Sequence, residues 1–452
     1  MKTIQPAIKI VMKIANEQRI LPDAGYRLSH HVAQTPCEDG QLLFHSLTGE
    51  LLLLERGEAV SSPTLRETLI KHWLLVPEDF NEKKQTDTVK SIVALLEPHS
   101  SKITHYVVFT TTDCNARCFY CFEKGQRRLS MSEQTAKDVA AYMAAHAEGE
   151  TVTIRWFGGE PLFNPLPIDI VSRELEERGV AFKSYMVTNG FLFDDQNVEK
   201  AVKNWKLYNA IITLDGTEEV YNRTKAYIYP GENGYRRVMD NIEKLLQVGI
   251  SVTVNLNMDR GNANDLMVLA EELAARFGKW PRFSARCALL REYKGKIHAF
   301  ENDRIAFDNW QALEQRLKAL GIAYKRLLPT GVMLHNCMAD NDAYSVIQPS
   351  GDLGTCEHFG DSCIIGNIYS GITDQEIAAS WKETRPPIPE CKTCVHYPLC
   401  IPLKNCNGIS PVCDELERSR ATAQLQEQMR NTYEQYKVNR GENLIAEGLL
   451  ED

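Results

Sequence analysis

The sequence has no apolar run near the roughly 18 residues that a membrane-spanning helix needs. Its N-terminus lacks the clean apolar core of a signal peptide, because Lys2, Lys9 and Lys13 interrupt it. Basic residues are not in excess either. The formal net charge is −9, whereas proteins that bind nucleic acid usually carry a clustered basic excess. We therefore expect a cytoplasmic protein that binds neither membrane nor nucleic acid.

Cysteine is the residue type that stands out. The chain has 13 cysteines, and because disulfides are rare in the cytosol, clustered cysteines in such a chain usually bind metal or take part in catalysis. Three lie between residues 114 and 121, eight lie between residues 337 and 413, and only Cys37 and Cys287 stand alone. The two groups predict metal centres. The two lone cysteines are expected to behave as small buried hydrophobic residues.

The predicted elements divide the chain into four parts. Residues 1–100 are expected to form a small α+β unit with a hairpin and two helices. Residues 101–325 alternate strands with helices, which predicts parallel βαβ units. Residues 326–420 are rich in cysteine, and little regular structure is expected there. Residues 421–452 are predicted to form a C-terminal helix and tail.

Six βα units fit a partial (β/α)6 barrel of the TIM type, so the predicted fold class is α/β. In such barrels the active-site residues lie at the C-terminal ends of the strands. The six strands are predicted at 106–111, 152–156, 182–187, 210–214, 252–258 and 282–288. Cys287 lies on the sixth strand, where it could face the barrel lumen.

The first cysteine group is Cys114, Cys118 and Cys121, directly after the first barrel strand. Three thiolates on one short loop can bind three irons of a cubane, which leaves the fourth iron open to another ligand. A structural zinc site is the alternative. Closed zinc sites have four ligands, however, and a fourth is missing nearby.

The Cys-x3-Cys-x2-Cys spacing, with Tyr120 before the last cysteine, resembles the radical S-adenosylmethionine (SAM) superfamily. The turn Gly158-Gly159-Glu160-Pro161 follows the second strand and resembles the stretch that binds the SAM amino group. A carboxylate in a glycine turn suits an ammonium, because Glu accepts hydrogen bonds and glycine lets the backbone approach closely.

Further superfamily landmarks follow the next two strands. Thr188 and Asn189 come after the third strand, and Asp215 comes after the fourth. Arg223 lies eight residues past Asp215, and the resemblance makes it a candidate for the SAM carboxylate, which suits a guanidinium fork. Each landmark alone is weak, but their order and their strand context together favour the assignment.

The second cysteine group resembles the SPASM extension of these enzymes, which carries two auxiliary clusters. The resemblance implies a distal [4Fe–4S] cluster on Cys391, Cys394, Cys400 and Cys413, and a nearer one on Cys337, Cys356 and Cys406. One departure is small: five residues separate Cys400 from Cys406, where the family usually has three. A pair of structural zinc sites is the alternative.

The nearer cluster has only three assigned ligands. Cys363 could supply the fourth, and so could His335. Alternatively the site is open and takes a thiolate of the substrate.

Residues 1–100 loosely resemble the peptide-recognition domain of enzymes that modify ribosomally made peptides. An exposed strand edge in such a unit can take up a leader peptide by β-augmentation; a structural cap on the barrel is the alternative. As a whole the chain resembles radical SAM/SPASM peptide maturases. The implied partners are a precursor peptide with a leader and a reductant such as flavodoxin or ferredoxin.

The resemblance implies three [4Fe–4S] clusters, the first of which binds and cleaves SAM. The resulting 5′-deoxyadenosyl radical takes a hydrogen from the peptide, and the product closes on another side chain, with a thioether favoured over a carbon–carbon link. An auxiliary cluster accepts the surplus electron. Two other hypotheses are a protein-modifying radical SAM/SPASM enzyme, such as a sulfatase-type formylglycine maturase, and a non-catalytic iron–sulfur protein.

Overall fold

The computed structural model describes residues 1–6, 25–58, 63–96, 102–259, 261–290, 304–335, 337–358, 363–406 and 413–446. The predicted boundary near residue 100 and the tail after residue 446 lie outside these ranges.

The N-terminal unit contains a four-stranded antiparallel sheet with the spatial order β1-β5-β4-β3. Two short strands, β2 and β6, pair separately. The elements in chain order are β1 (Lys2–Gln5), β2 (Tyr26–Leu28), β3 (Val32–Cys37), β4 (Gly40–His45), β5 (Glu50–Glu55), α1 (Pro63–Lys71), β6 (Leu75–Pro77) and α2 (Glu82–Leu96).

Strand β5 explains how this sheet is covered. Its four consecutive leucines, residues 51–54, are all buried. Side chains alternate along a strand, so such a run is buried only if both faces of the sheet are covered. Leu52 and Leu54 pack against α1, whereas Leu51 and Leu53 pack against a helix from the far end of the chain.

Six parallel strands form the barrel, in the order β7 to β12 from one edge to the other. They are β7 (His105–Thr111), β8 (Val152–Gly158), β9 (Phe182–Thr188), β10 (Leu207–Leu214), β11 (Ser251–Met258) and β12 (Phe283–Leu289). The prediction of six strands with a parallel arrangement is confirmed.

The described residues 133–446 contain nine α-helices, seven that accompany the barrel and two in the segment after it. They are α3 (Glu133–Ala147), α4 (Leu166–Glu177), α5 (Asp195–Lys203), α6 (Glu218–Lys225), α7 (Gly234–Gln247), α8 (Ala263–Phe277) and α9 (Arg304–Ala319), and α10 (Gln375–Ser380) and α11 (Glu415–Ala446) follow. Ser132 caps α3 by accepting a hydrogen bond from the Thr135 amide. Alternate strand residues pack with these helices in the main core, and the others face the lumen.

The barrel sheet continues into the C-terminal part of the chain. Strand β13 (Tyr344–Ile347) pairs in parallel with β7, and β14 (Asp352–Gly354), β15 (Ile364–Asn367) and β16 (Gly371–Ile372) follow in antiparallel order. Little regular structure was expected here, and before α11 the described residues after 326 contain only these short strands, the six-residue helix α10 and short 3-10 turns. These strands are two to four residues long, too short to show a periodic pattern, and the open edge of β7 organises them.

Helix α11 returns to the start of the chain. Leu425, Met429 and Tyr433 pack on the face of the N-terminal sheet that carries Leu51 and Leu53. The first and last parts of the chain therefore share one hydrophobic core. Among the described helices, none combines the length and apolarity that crossing a bilayer requires.

Candidate functional site

The loop after β7 carries Cys114, Cys118 and Cys121, all partly buried. The Cys114 sulfur accepts from the Ala116 amide at 3.3 Å. Burial raises the pKa of the Cys114 thiol to about 12 and that of Cys121 to about 11, and it also raises the pKa of Cys118. The pocket therefore disfavours bare thiolates. A cationic iron centre would supply the missing positive charge, and the donor set fits such a group.

Two glycines let the loop after β8 pass close to the loop after β7. A Cβ on Gly158 would lie 2.1 Å from the carbonyl oxygen of Thr111, and one on Gly159 would lie 2.3 Å from that of Asp113. Gly158 also has a φ of 121°, which other residues rarely adopt. Glycine is thus required at both positions, because any side chain would push the cysteine loop away.

The next residue, Glu160, is fully buried at the centre of the predicted SAM landmarks. Its carboxylate accepts from the Thr188 hydroxyl at 2.7 Å, the Asn189 amide at 2.8 Å and the Leu162 amide at 3.2 Å. Burial raises its pKa to about 6 despite these bonds. The structure thus brings together the landmarks at the ends of the second and third barrel strands.

Asn189 extends this network to the cysteine loop. Its side-chain amide donates to the Asn115 side chain at 2.7 Å and lies 3.8 Å from the Cys114 sulfur. Asn115 was not predicted as a site residue. It directly follows Cys114, at a position where the cysteine spacing accepts any residue.

A second network holds Tyr120 at the end of β10. The Tyr120 hydroxyl donates to Asp215 at 2.7 Å and accepts from the Lys225 ammonium at 2.9 Å and the Asn257 amide at 3.1 Å. Lys225 also donates to Thr213 at 2.8 Å. Sequence reasoning missed Lys225 and Asn257.

Lys225 and Asp215 form a buried ion pair with a nitrogen–oxygen distance of 3.0 Å, and both side chains are 2% exposed. Burial opposes the charged ammonium, yet Asp215 and the Tyr120 hydroxyl raise the pKa of Lys225 well above its usual value. The Lys225 backbone oxygen also accepts from the Arg117 amide. Lys225 therefore holds the cysteine loop at two points, Tyr120 through its ammonium and Arg117 through its backbone oxygen.

Two predicted placements differ from the structure. The Arg223 side chain is 69% exposed and lies 3.6 Å from Glu219 on the outer face of α6, so it is not brought to the cysteine loop. Cys287 packs with Phe283 and Ala285 against the barrel helices, and it does not face the lumen, where Ser284 and Arg286 point. The Cys287 amide donates to Glu314 at 2.6 Å.

The structure gathers four C-terminal cysteines near β14 and β15. Cys356 and Cys363 are buried together, and the Cys363 thiol donates to the Cys356 carbonyl at 3.0 Å. Burial, together with Glu357, Cys363 and Cys406, raises the pKa of Cys356. Cys406 also interacts electrostatically with Cys337. The alternative ligand His335 directs its Nδ1 to the Asp340 carbonyl at 2.7 Å.

The other four C-terminal cysteines form a separate group. Cys391, Cys394 and Cys413 all interact electrostatically with Cys400, whose pKa burial raises to about 11. Within the described ranges, no three His, Cys, Asp or Glu side chains converge on a position for a single metal ion. A cubane makes a different demand, because each thiolate binds a separate iron.

A charged pair in the lumen links the barrel to the nearer cysteine group. Arg155 on β8 pairs with Glu357 at 2.5 Å, with side chains 16% and 10% exposed. Its guanidinium lies 5.6 Å from the Phe157 ring centroid and 5.9 Å from that of Tyr185. Sequence reasoning missed Arg155, although a charged residue inside an otherwise buried strand was the available signal.

Comparisons with known proteins agree on the barrel. Residues 108–273 match the Radical SAM superfamily, so this part of the chain is a radical SAM domain. The chain is 25% identical over 200 residues to a probable GTP 3′,8-cyclase of Thermococcus kodakarensis, an alignment that covers 42% of this chain and 62% of that protein. It is 27% identical over 257 residues to one of Archaeoglobus fulgidus, covering 55% and 82%. The chain thus spans less than two thirds of the first relative.

Solved structures show the same fold at low identity. SuiB of Streptococcus suis bound to precursor peptide SuiA aligns with a TM-score of 0.51 and 14% identity, covering 83% of this chain and 95% of that one. Native anSMEcpe with bound AdoMet aligns with a TM-score of 0.54 and 16% identity, covering 75% and 99%. The α/β fold class with its partial barrel is therefore confirmed.

Proposed function

We propose that this radical SAM enzyme modifies a ribosomally made precursor peptide by hydrogen abstraction and intramolecular crosslinking, with a thioether favoured over a carbon–carbon link. The observation that carries the proposal is the joint core of the N-terminal sheet and α11, which attaches a unit whose sheet ends, among the described residues, in the edge strands β1 and β3 to the cysteine-rich end of a radical SAM domain. An edge strand is the structure that β-augmentation by a leader peptide uses.

The residues at the C-terminal ends of the strands would hold the first cluster and SAM. Cys114, Cys118 and Cys121 would bind three irons of a [4Fe–4S] cluster, and bound SAM would then supply the organic radical that removes a hydrogen. Glu160 has an oxygen beside the Asn189 amide and would accept from the SAM ammonium. Thr188 and Asn189 keep its carboxylate oriented.

Lys225 takes over part of the role expected of Arg223, because its buried positive charge lies at the end of β10. All described bonds of its ammonium go to Asp215, Tyr120 and Thr213, so Lys225 would act on the SAM carboxylate through its charge and by holding Tyr120. Tyr120 would line the pocket beside the cluster. The nearer and distal cysteine groups would hold two auxiliary clusters.

Two alternatives have specific support. The likeness to anSMEcpe, which has also been solved with AdoMet and the Cp18Cys peptide, supports a maturase that oxidises Cys or Ser of a protein to formylglycine. The similarity to probable GTP 3′,8-cyclases supports a nucleotide substrate. The peptide proposal is preferred, because the SuiB complex with its precursor peptide matches 83% of this chain, including more than the radical SAM domain.

The test is coexpression with candidate short peptides from reading frames next to this gene, followed by mass spectrometry of each peptide. Each crosslink removes two hydrogens, and fragmentation identifies the linked residues. A peptide without its leader should react far more slowly. The matched control replaces Cys114, Cys118 and Cys121 with Ala, which should remove about four irons and abolish deoxyadenosine formation. GTP consumption, or conversion of one Cys or Ser to an aldehyde, would instead favour an alternative.

A further inference from the structure

The loop between Cys394 and Cys400 lies against the N-terminal unit. Along this loop, Val395 and Leu399 pack into the core shared by the N-terminal sheet and α11. The Ser46 hydroxyl donates to the Val395 carbonyl at 2.6 Å, and the Tyr397 hydroxyl donates to Asp87 of α2 at 2.6 Å. The distal cysteine group is therefore positioned by residues some 300 positions earlier in the chain.

Lys90 of α2 is the charged residue at this contact. Its ammonium donates to the carbonyl oxygens of Cys400, at 3.2 Å, and Tyr397, at 3.4 Å, and it lies 6.0 Å from the Tyr397 ring centroid. Lys90 also interacts electrostatically with the Cys400 thiol group. In the described part of the chain no carboxylate forms an ion pair with Lys90; Asp87 interacts with it electrostatically, but both hydrogen bonds of its ammonium go to the cysteine loop.

Lys83 lies on the same helix and provides a contrast. It lies 5.1 Å from the same ring centroid, but it is paired with Asp87 at 2.7 Å. Its positive charge is thus already balanced by a carboxylate. Two lysines therefore contact one tyrosine, and of the two only Lys83 forms an ion pair with a carboxylate among the described residues.

We infer that Lys90 sets the reduction potential of the cluster on Cys391, Cys394, Cys400 and Cys413, an inference that rests on the auxiliary clusters of the proposed function. Reduction adds one negative charge to the cluster. A fixed positive charge nearby stabilises that state, and net charge and hydrogen bonding are main determinants of iron–sulfur potentials. The unit that is proposed to bind the leader thereby also tunes an electron acceptor.

The experiment is a redox titration of the cluster-loaded full chain, followed by electron paramagnetic resonance. Lys90→Gln should lower the midpoint potential of one cluster, so that its reduced-to-oxidised ratio at a fixed potential falls about tenfold, or 59 mV for a one-electron couple. Lys90→Arg keeps the charge and should restore the wild-type potential. Lys83→Gln is the matched control and should change the potential much less.

Two results would overturn the inference. One is an unchanged set of potentials in Lys90→Gln with full iron content. The other is loss of about four irons in Lys90→Gln, since Lys90 would then be needed to assemble the cluster. A Cys391→Ala, Cys394→Ala variant separates this from failure of the proposed function. If that variant keeps every iron, the distal cluster itself is absent; if it loses about four, only the role of Lys90 is in question.

Discussion

Replacing Lys225 with Met tests whether the ion pair at the end of β10 holds the site together. Lys225 and Asp215 are each 2% exposed, and the ammonium also donates to Tyr120 and Thr213. Removing one partner of a buried ion pair usually costs about 3–5 kcal/mol, because the other charge stays buried without compensation. We expect the free energy of unfolding to fall by this amount, as measured by urea denaturation of the protein with tryptophan fluorescence as the probe.

Two further variants make this prediction specific. Adding Asp215→Asn to Lys225→Met removes the unpaired charge but keeps an oxygen that can accept from Tyr120, so the double variant should be more stable than Lys225→Met alone. Lys203→Met breaks the exposed pair with Glu199, at 2.6 Å, and should leave the unfolding midpoint almost unchanged. If Lys225→Met unfolds like the wild type, or if the double variant is the least stable, the reasoning is refuted.

Three other changes have defined outcomes. Gly159→Ala should weaken equilibrium binding of SAM, since its Cβ would lie 2.3 Å from a carbonyl oxygen of the cysteine loop, whereas Gly331→Ala meets no atom within 4 Å and should bind normally. The hydrogen bond to Glu50 raises the pKa of His72, so this stabilisation is present below about pH 6.5 and is lost as the pH rises through the raised pKa; His72→Gln should therefore cost more stability at pH 6 than at pH 9, and an equal cost would contradict it. Cys363→Ala should keep all its iron and its crosslinking activity if the nearer cluster is open to a substrate thiolate, and loss of about four irons would make Cys363 a ligand.

The barrel was predictable because each of its strands is a buried run followed by a helix of ordinary length. The local signals for β7 and α3 agree with the tertiary structure, down to the cap at Ser132. Strands β13 to β16 were not predictable, since only β13 pairs with the barrel, at the β7 edge, and β14, β15 and β16 then pair one after another. The covering of β5 on both faces depends on α11, which no local pattern reveals.

Sequence reasoning within the site was limited in a similar way, because it selected Arg223 although Lys225 is the residue that contacts Tyr120. Helix α6 was not predicted, so the two residues could not be assigned to its faces. Successive helical residues are about 100° apart, so positions 223 and 225 point to nearly opposite sides. The side of Cys287 could have been predicted, because Phe283 and Ala285 alternate with the polar Ser284 and Arg286 along the same strand.

The shared core of the N-terminal sheet and α11 can form only after the ribosome has synthesised α11. Thr35 on the sheet and Arg430 on α11 form a hydrogen bond although 395 positions separate them. At about 5–20 residues per second, a ribosome needs roughly 20–80 s to make the intervening chain. For that time Phe44 and its apolar neighbours on the sheet have no cover from α11, so the nascent chain is expected to depend on chaperones, and slower translation should lower its soluble yield.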